Sequence, residues 1–197
     1  MSEPTIYKPS IYNVNGIYKG DSVYKGNGVY NDGDGGGLPG YDVVQIGNLL
    51  WINRNYDEDL GTNGVDQNQT TFPNGGKVYS GNLIINKLSE IEVDGWRVPT
   101  KDDLILLEQE GYYKLVTTDP NYANFVGNDI YGFNMLMVGY SFVNQLNITG
   151  VKATTNFWCK TYAGSNIYDL NFQSGTCSMM NHNPAKFMLS LRLCKDV

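Results

Sequence analysis

The sequence predicts a mixed α+β domain carried on a short repetitive N-terminal arm. Three observations lead there. Residues 94–110 read as an extended segment that turns into a capped helix. The C-terminal third alternates apolar and polar residues between turn signals, as strands do. Residues 1–37 repeat a six-residue unit that the rest of the 197-residue chain lacks.

The arm comes first. Ile11-Tyr12, Ile17-Tyr18, Val23-Tyr24 and Val29-Tyr30 recur at six-residue spacing, separated by Asn15-Gly16, Asp21-Ser22 and Asn27-Gly28. A fixed short period with turn residues is β-helix-like: a short strand, then a corner. So few units cannot bury their own apolar face. The expectation is therefore that three chains share the work, each giving one face of a homotrimeric stalk, with these Ile/Val-Tyr pairs as its oligomerisation and anchoring residues. The alternatives are a flexible Gly/Tyr-rich linker and an extended arm threaded into another protein. Residues 38–41, after three consecutive glycines, are expected to be a hinge, and residues 42–197 the folded domain.

Asp42–Ile52 reads as a hairpin turning at Gly47-Asn48. Residues 53–77 are polar and glycine-rich, a long loop of the kind that is functional or oligomer-facing. Val78–Ile91 fits a helix with Leu83, Ile84, Leu88 and Ile91 on one face. In the next segment Trp96 and Val98 alternate with Arg97. Pro99 keeps its predecessor extended, and Thr100 is an N-cap with Asp103 three residues on. The helix then runs Lys101–Glu110, presents Leu104, Leu107 and Ile105 to a core, and stops at Gly111. Residues 112–131 are loop-rich. Phe133–Val138 and Tyr140–Val143 are apolar enough for central strands. Ala153–Tyr162, Ile167–Gln173 and Lys186–Cys194 read as closing strands.

Several of these stretches carry a resemblance. Gly95-Trp96-Arg97-Val98-Pro99-Thr100 resembles the Gly-Trp-Arg-[Leu/Val]-Pro-[Ser/Thr] signature of the FISUMP family, the Fibrobacter succinogenes major paralogous domain. Val44 to Tyr56, Gly132-Phe133-Asn134 with Val138-Gly139-Tyr140, Asn156-Phe157-Trp158, and Leu189 to Cys194 resemble further landmarks of that family, in its order. The resemblance covers about residues 41–197. It implies a C-type-lectin-like fold related to the formylglycine-generating enzyme, with two helices and a loop-rich mixed sheet. It also implies Trp51, Trp96, Pro99 and Trp158 as fold core. Members are mostly displayed on bacterial surfaces or encoded by phages, and most have no known catalytic activity. The family often pairs its C-terminal cysteine with one just before Gly-Trp-Arg. Val93 and Asp94 stand there in this chain, so Cys194 has lost that partner.

Charge and composition narrow the classes. A net charge of −6 argues against a nucleic-acid partner held through phosphates and against a basic membrane-surface helix. No apolar run is long enough to span a bilayer, and no membrane insertion is expected. The first residues lack a basic start and an apolar core, so assembly in the cytoplasm is expected. Three cysteines, Cys159, Cys177 and Cys194, show no metal-ligand spacing. Free thiols are expected, with a Cys159–Cys177 bridge as the alternative.

Catalysis finds little support, and no enzyme is expected. His182 is the single histidine, with no nucleophile elbow and no acidic partner at a diagnostic spacing. It reads as a solvent-exposed loop residue. Cys159 and Cys177 could be cast as the reactive pair of a formylglycine-generating enzyme, but nothing else supports that role. No metal site is expected, although Asp57-Glu58-Asp59 could hold calcium. The Glu-Pro-Asn, Gln-Pro-Asp and Trp-Asn-Asp motifs of calcium-dependent lectins are missing.

Residues 156–183 are the stretch best suited to binding. They interleave aromatic rings with small amides and hydroxyls: Lys160, Tyr162, Ser165, Asn166, Tyr168, Asn171, Gln173, Ser174, Asn181, His182 and Asn183. Tyr, Ser and Asn build adaptable binding surfaces because a ring gives area at low entropy cost and an amide bonds in either sense. The same alternation also fits the outer faces of strands. The expected function is a virion fibre or decoration protein of a tailed phage, its N-terminus on a capsid or tail protein. The short reach favours a head fibre over a tail fibre: about 30 stalk residues span at most ~100 Å. The domain would bind a host-surface or mucosal ligand, a glycan by preference. A bacterial cell-surface adhesin or pilus-tip-like module is the alternative.

Overall fold

A computed structural model describes residues 29–30, 38, 40–61, 69–72, 76–145 and 147–197. The repeat pairs at Ile11, Tyr12, Ile17, Tyr18, Val23 and Tyr24 lie outside the described residues. Two sheets and a few short helices form an α+β domain.

The smaller sheet has four strands in the order β1 (Val29–Tyr30), β2 (Val43–Ile46), β3 (Leu49–Ile52) and β11 (Cys194–Asp196). β2 and β3 form the expected hairpin, with Val44 opposite Trp51. The last repeat pair, Val29–Tyr30, is an antiparallel edge strand on β2. Leu38 and Tyr41, at either end of the expected hinge, are buried in the domain core. Tyr41 stacks on Tyr56, its hydroxyl donates to Asp57, and Arg54 lies 4.3 Å from its ring centre.

The larger sheet runs β4 (Gln69–Phe72), β5 (Gly76–Ser80), β10 (Phe187–Ser190), β7 (Thr154–Ala163), β8 (Asn166–Gln173) and β9 (Thr176–His182), with β6 (Ser141–Phe142) pairing with β10. The β10–β7 pairing is parallel and joins the C-terminal meander to the rest. Trp51, Trp96 and Trp158 are at most 1% exposed, and Pro99 is buried.

Five expectations need correction. Residues 53–77 are not one loop, because β4 and the first two residues of β5 occupy their end, and Val78–Ser80 continues β5 rather than starting a helix. The helical part is two short pieces, α1 (Gly81–Asn86) and α2 (Leu88–Ile91), broken at Lys87. The start signal was Ser80, whose side chain caps Leu83 N at 3.1 Å. Phe133–Val138 is not a strand. Its backbone is taken by loops instead: Met135 N donates to Leu115 O, Met137 N donates to Tyr122 O, and the Phe133 and Asn134 carbonyls accept from Arg192. Lys186–Cys194 is not one strand, because the chain leaves the large sheet after Ser190 and enters the small one at Cys194. Finally, residues 176–182 form a strand that the alternation signal missed. Ser174 and Gly175 both have positive φ, 51° and 84°, as a two-residue hairpin turn requires. All three cysteines are free thiols.

The helix α3 (Lys101–Glu110) has the expected bounds and a complete Thr100/Asp103 capping box, with Ile105 half-buried beside the buried Leu104 and Leu107. The short α4 (Tyr112–Leu115) follows it within the loop-rich stretch. Arg97 explains why the junction is rigid. Its guanidinium grips Asp103 and reaches Asp196 at 2.8 Å, while its backbone exchanges two hydrogen bonds with Cys194. One side chain thus ties the α3 N-terminus to β11.

Candidate functional site

β7, β8 and β9 have two unlike faces because side chains alternate along a strand. Phe157, Leu170 and Phe172 are buried on the face that α3 covers. The other face carries Thr154, Asn156, Asp169, Asn171, Gln173, Met180 and His182. With Tyr140, Phe142 and Phe187 standing over it, this face forms a cleft of about 430 Å³.

The cleft has an aromatic wall and an amide floor. Phe142 and Phe187 rings are 5.0 Å apart, Tyr140 and Phe142 5.6 Å, and the His182 ring lies 4.4 Å from Phe187. The floor is one connected network. Asp169 lies under it, fully buried, and meets His182 Nδ1 at 2.7 Å through Oδ1. Its Oδ2 accepts from Asn156 Nδ2 at 2.6 Å. Asn171 Nδ2 donates to Asn156 Oδ1 and to Thr154 Oγ1, both at 3.0 Å. A buried charge is tolerated when hydrogen-bonded on both oxygens, and such a network holds its members in fixed positions.

This corrects the reading of His182. It is not a loop residue but the end of β9, its side chain 21% exposed, and it has an acidic partner 13 positions earlier. Sequence spacing hid the pair because Asp169 and His182 meet across neighbouring strands.

Of the expected binding residues, Asn171, Gln173 and His182 line the cleft. The others do not join them. Tyr168 lies on the α3 face, 4.4 Å beneath Lys101 Nζ. Asn166 donates to Asn181 at 2.8 Å across β8 and β9. Lys160 pairs with Glu92 at 2.7 Å. Tyr162 is 52% exposed, well along β7 from the cleft. Ser165 and Ser174 sit in the two hairpin turns, and Asn183 closes a turn by accepting from Ala185 N at 2.9 Å. Sequence reasoning missed Asp169, Thr154, Tyr140, Phe142 and Phe187. Asp169 left no signal of its own, because it shares its polar phase with Asn171 and Gln173, opposite Tyr168, Leu170 and Phe172.

Other chemistry has little to stand on. Burial pushes the Cys159 thiol up to about 11 and raises Cys177 as well. Cys159 bonds to Tyr168 O, whereas Cys177 lies opposite Phe172, one hairpin end away. They do not form a reactive pair. Asp57 is engaged by Tyr41 and Arg54. Among the described residues, no group of three His, Cys, Asp or Glu side chains could hold a metal, and no helix is long and apolar enough to cross a membrane.

No protein-family profile, curated protein or solved structure matches the chain.

Proposed function

We propose that this chain is a non-enzymatic virion fibre or decoration protein of a tailed phage. In this reading the domain from about residue 41 is a FISUMP-type, C-type-lectin-like module, and the cleft over β7–β9 is its ligand site. The ligand is a glycan on a host or mucosal surface. The observation that carries the ligand reading is the pairing of an aromatic wall with a fixed amide floor. Sugar rings stack their apolar C–H face on aromatic rings and direct hydroxyls at planar amides, so both surfaces are used at once. The repeat arm would assemble three chains and hold them to a capsid protein, as in a head fibre. A weak contact per site then gains roughly 10²–10⁴ in avidity from three copies.

Two measurements test this. Glycan arrays probed with the full chain should retain a saccharide, and Asn171→Ala should weaken that binding at least about ten-fold, the loss of one well-placed hydrogen bond. Binding unmoved by Asn171→Ala overturns the assignment of the cleft. Light scattering should give about three times the 22.0 kDa chain mass. A chain starting at Gly28, which keeps β1, should fall to a monomer. A monomeric full chain overturns the trimeric stalk.

A further inference from the structure

We infer that the floor of this cleft turns two fixed hydrogen-bond acceptors, Asn171 Oδ1 and His182 Nε2, toward a ligand, so that it favours the hydroxyl groups of a neutral saccharide over acidic ones. The saccharide part rests on the glycan reading above. The polarity rests on the side-chain network alone.

The direction of every bond in the network is set from one end. Asp169 is fully buried, and a carboxylate accepts but does not donate. Its Oδ2 therefore requires the amino group of Asn156, at 2.6 Å. That orients the Asn156 amide, so its Oδ1 faces Asn171 and accepts from Nδ2 at 3.0 Å. The same Asn171 amino group donates its second hydrogen to Thr154 Oγ1 at 3.0 Å. Both Asn171 N–H bonds are now committed, and Oδ1 is the atom it leaves to the cleft. On the other arm, Oδ1 of Asp169 faces His182 Nδ1 at 2.7 Å, which places the imidazole proton there. In the neutral imidazole the Nε2 lone pair is then left to the cleft. His182 cannot turn away, because its ring packs on Phe187.

Two acceptors over one buried negative charge make a selective floor. Sugar hydroxyls satisfy both by donating. A carboxylate, sulfate or phosphate brings only acceptors, and no Lys or Arg lines the cleft to neutralise it. Specificity of this kind comes from leaving the wrong partner unpaired. Gln173 and the Tyr140, Thr149 and Thr154 hydroxyls can turn either way and Asn156 keeps one N–H, but none of them removes the two acceptors or the negative charge beneath them.

The test has two arms, both on the full chain. Heteronuclear NMR of the imidazole nitrogens at mildly alkaline pH should show His182 as the Nδ1–H tautomer. An Nε2–H tautomer or an imidazolium overturns the acceptor floor. In the second arm, methyl glucoside, galactoside and mannoside are titrated against glucuronate and galacturonate, with the His182 signals as readout. The best neutral sugar should bind at least about ten-fold more tightly than its uronate. Equal or tighter uronate binding overturns the selectivity. Silence from every saccharide, with the Nδ1–H tautomer in place, removes the glycan reading and the selectivity with it but upholds the acceptor floor. Asp169→Asn reverses the first bond and lets the Asn156 and Asn171 amides flip. Where that variant folds, the preference for neutral sugars should shrink at least about ten-fold, and an unchanged preference counts against the relay.

Discussion

The Arg192 guanidinium lies 4.5 Å from the centre of the Phe133 ring, with the residue 1% exposed. It donates to Ile52 O, Phe133 O, Asn134 O and Asn55 Oδ1 at 2.8–3.1 Å. Burial lowers it to about 9, with Asp129 opposing the fall, so it stays a cation at neutral pH. Four acceptors from two chain segments, 52–55 and 133–134, depend on this one side chain. Replacing it with Met should cost at least about 3 kcal/mol, since each orphaned buried acceptor costs about 1–3 kcal/mol. Lys should recover little, because an ammonium cannot reproduce the planar fork. Urea denaturation of the two variants checks this.

Asp129 should make stability depend on pH in a distinctive sense. Burial raises its carboxyl from 3.8 to about 6, against the pull of the Asn134 backbone N–H and of Arg192. A raised carboxyl binds its proton more tightly in the folded chain. Its contribution is therefore fully present below about 3.8 and lost as pH rises through about 6. Measured as wild type minus Asp129→Asn, folding stability should fall between about pH 4 and pH 7 by at most about 3 kcal/mol, and by less where solvent reaches the carboxyl. A flat difference would refute it.

Arg97 and Asp103 should behave as one unit. Burial pushes Asp103 up, but the Arg97 guanidinium and the Thr100 donors outweigh it and hold the carboxyl below its usual range. The pair's stabilisation is present above the ordinary carboxylate value and is lost as pH falls through the lowered one. A double-mutant cycle with Arg97→Met and Asp103→Asn should give a coupling of about 1–3 kcal/mol at neutral pH that shrinks in acid.

Two glycines offer an internal control. Gly139 and Gly47 both have positive φ, +83° and +63°. A Cβ on Gly47 meets nothing within 4 Å, whereas on Gly139 it would sit 2.3 Å from Thr149 O. Gly47→Ala should lose about 1–2 kcal/mol, the backbone term alone. Gly139→Ala should lose clearly more and also disturb the cleft wall at Tyr140 and Thr149. Thermal melts of the two would separate strain from collision.

Local chemistry was the legible part of this sequence. The α3 bounds followed from Thr100, Asp103 and Gly111, and the β2–β3 hairpin from Gly47-Asn48, because caps and turns are decided by neighbours along the chain. What failed depended on distant partners. Phe133–Val138 has the composition of a strand, yet Arg192, some sixty positions away, claims its first carbonyls. Ser80 carried the true helix start, but the apolar periodicity across Val78–Ile91 masked it. In the candidate site, Asn171 and His182 stood out as polar residues in an aromatic setting. Asp169, which orients them, did not, since a lone carboxylate in a strand acquires meaning only through the strands beside it. The faces that divide Asn171 from Tyr168 and Asn166 are likewise set by α3, which no local pattern places over β8.

The passage of β10 into β11 governs when the chain can fold. β10 bridges β5, β6 and β7, β11 closes the hairpin sheet, and Arg192 between them reaches back to Ile52, 140 positions earlier. Neither sheet is complete until residues 187–196 are in place. On a ribosome the β2–β3 hairpin and the β7–β8–β9 meander can pair early, but the contacts that join them form late and over long loops. Such non-local topologies fold in milliseconds to seconds rather than microseconds. The domain should thus close in one cooperative event once residues 187–196 are available, with the cleft appearing only then.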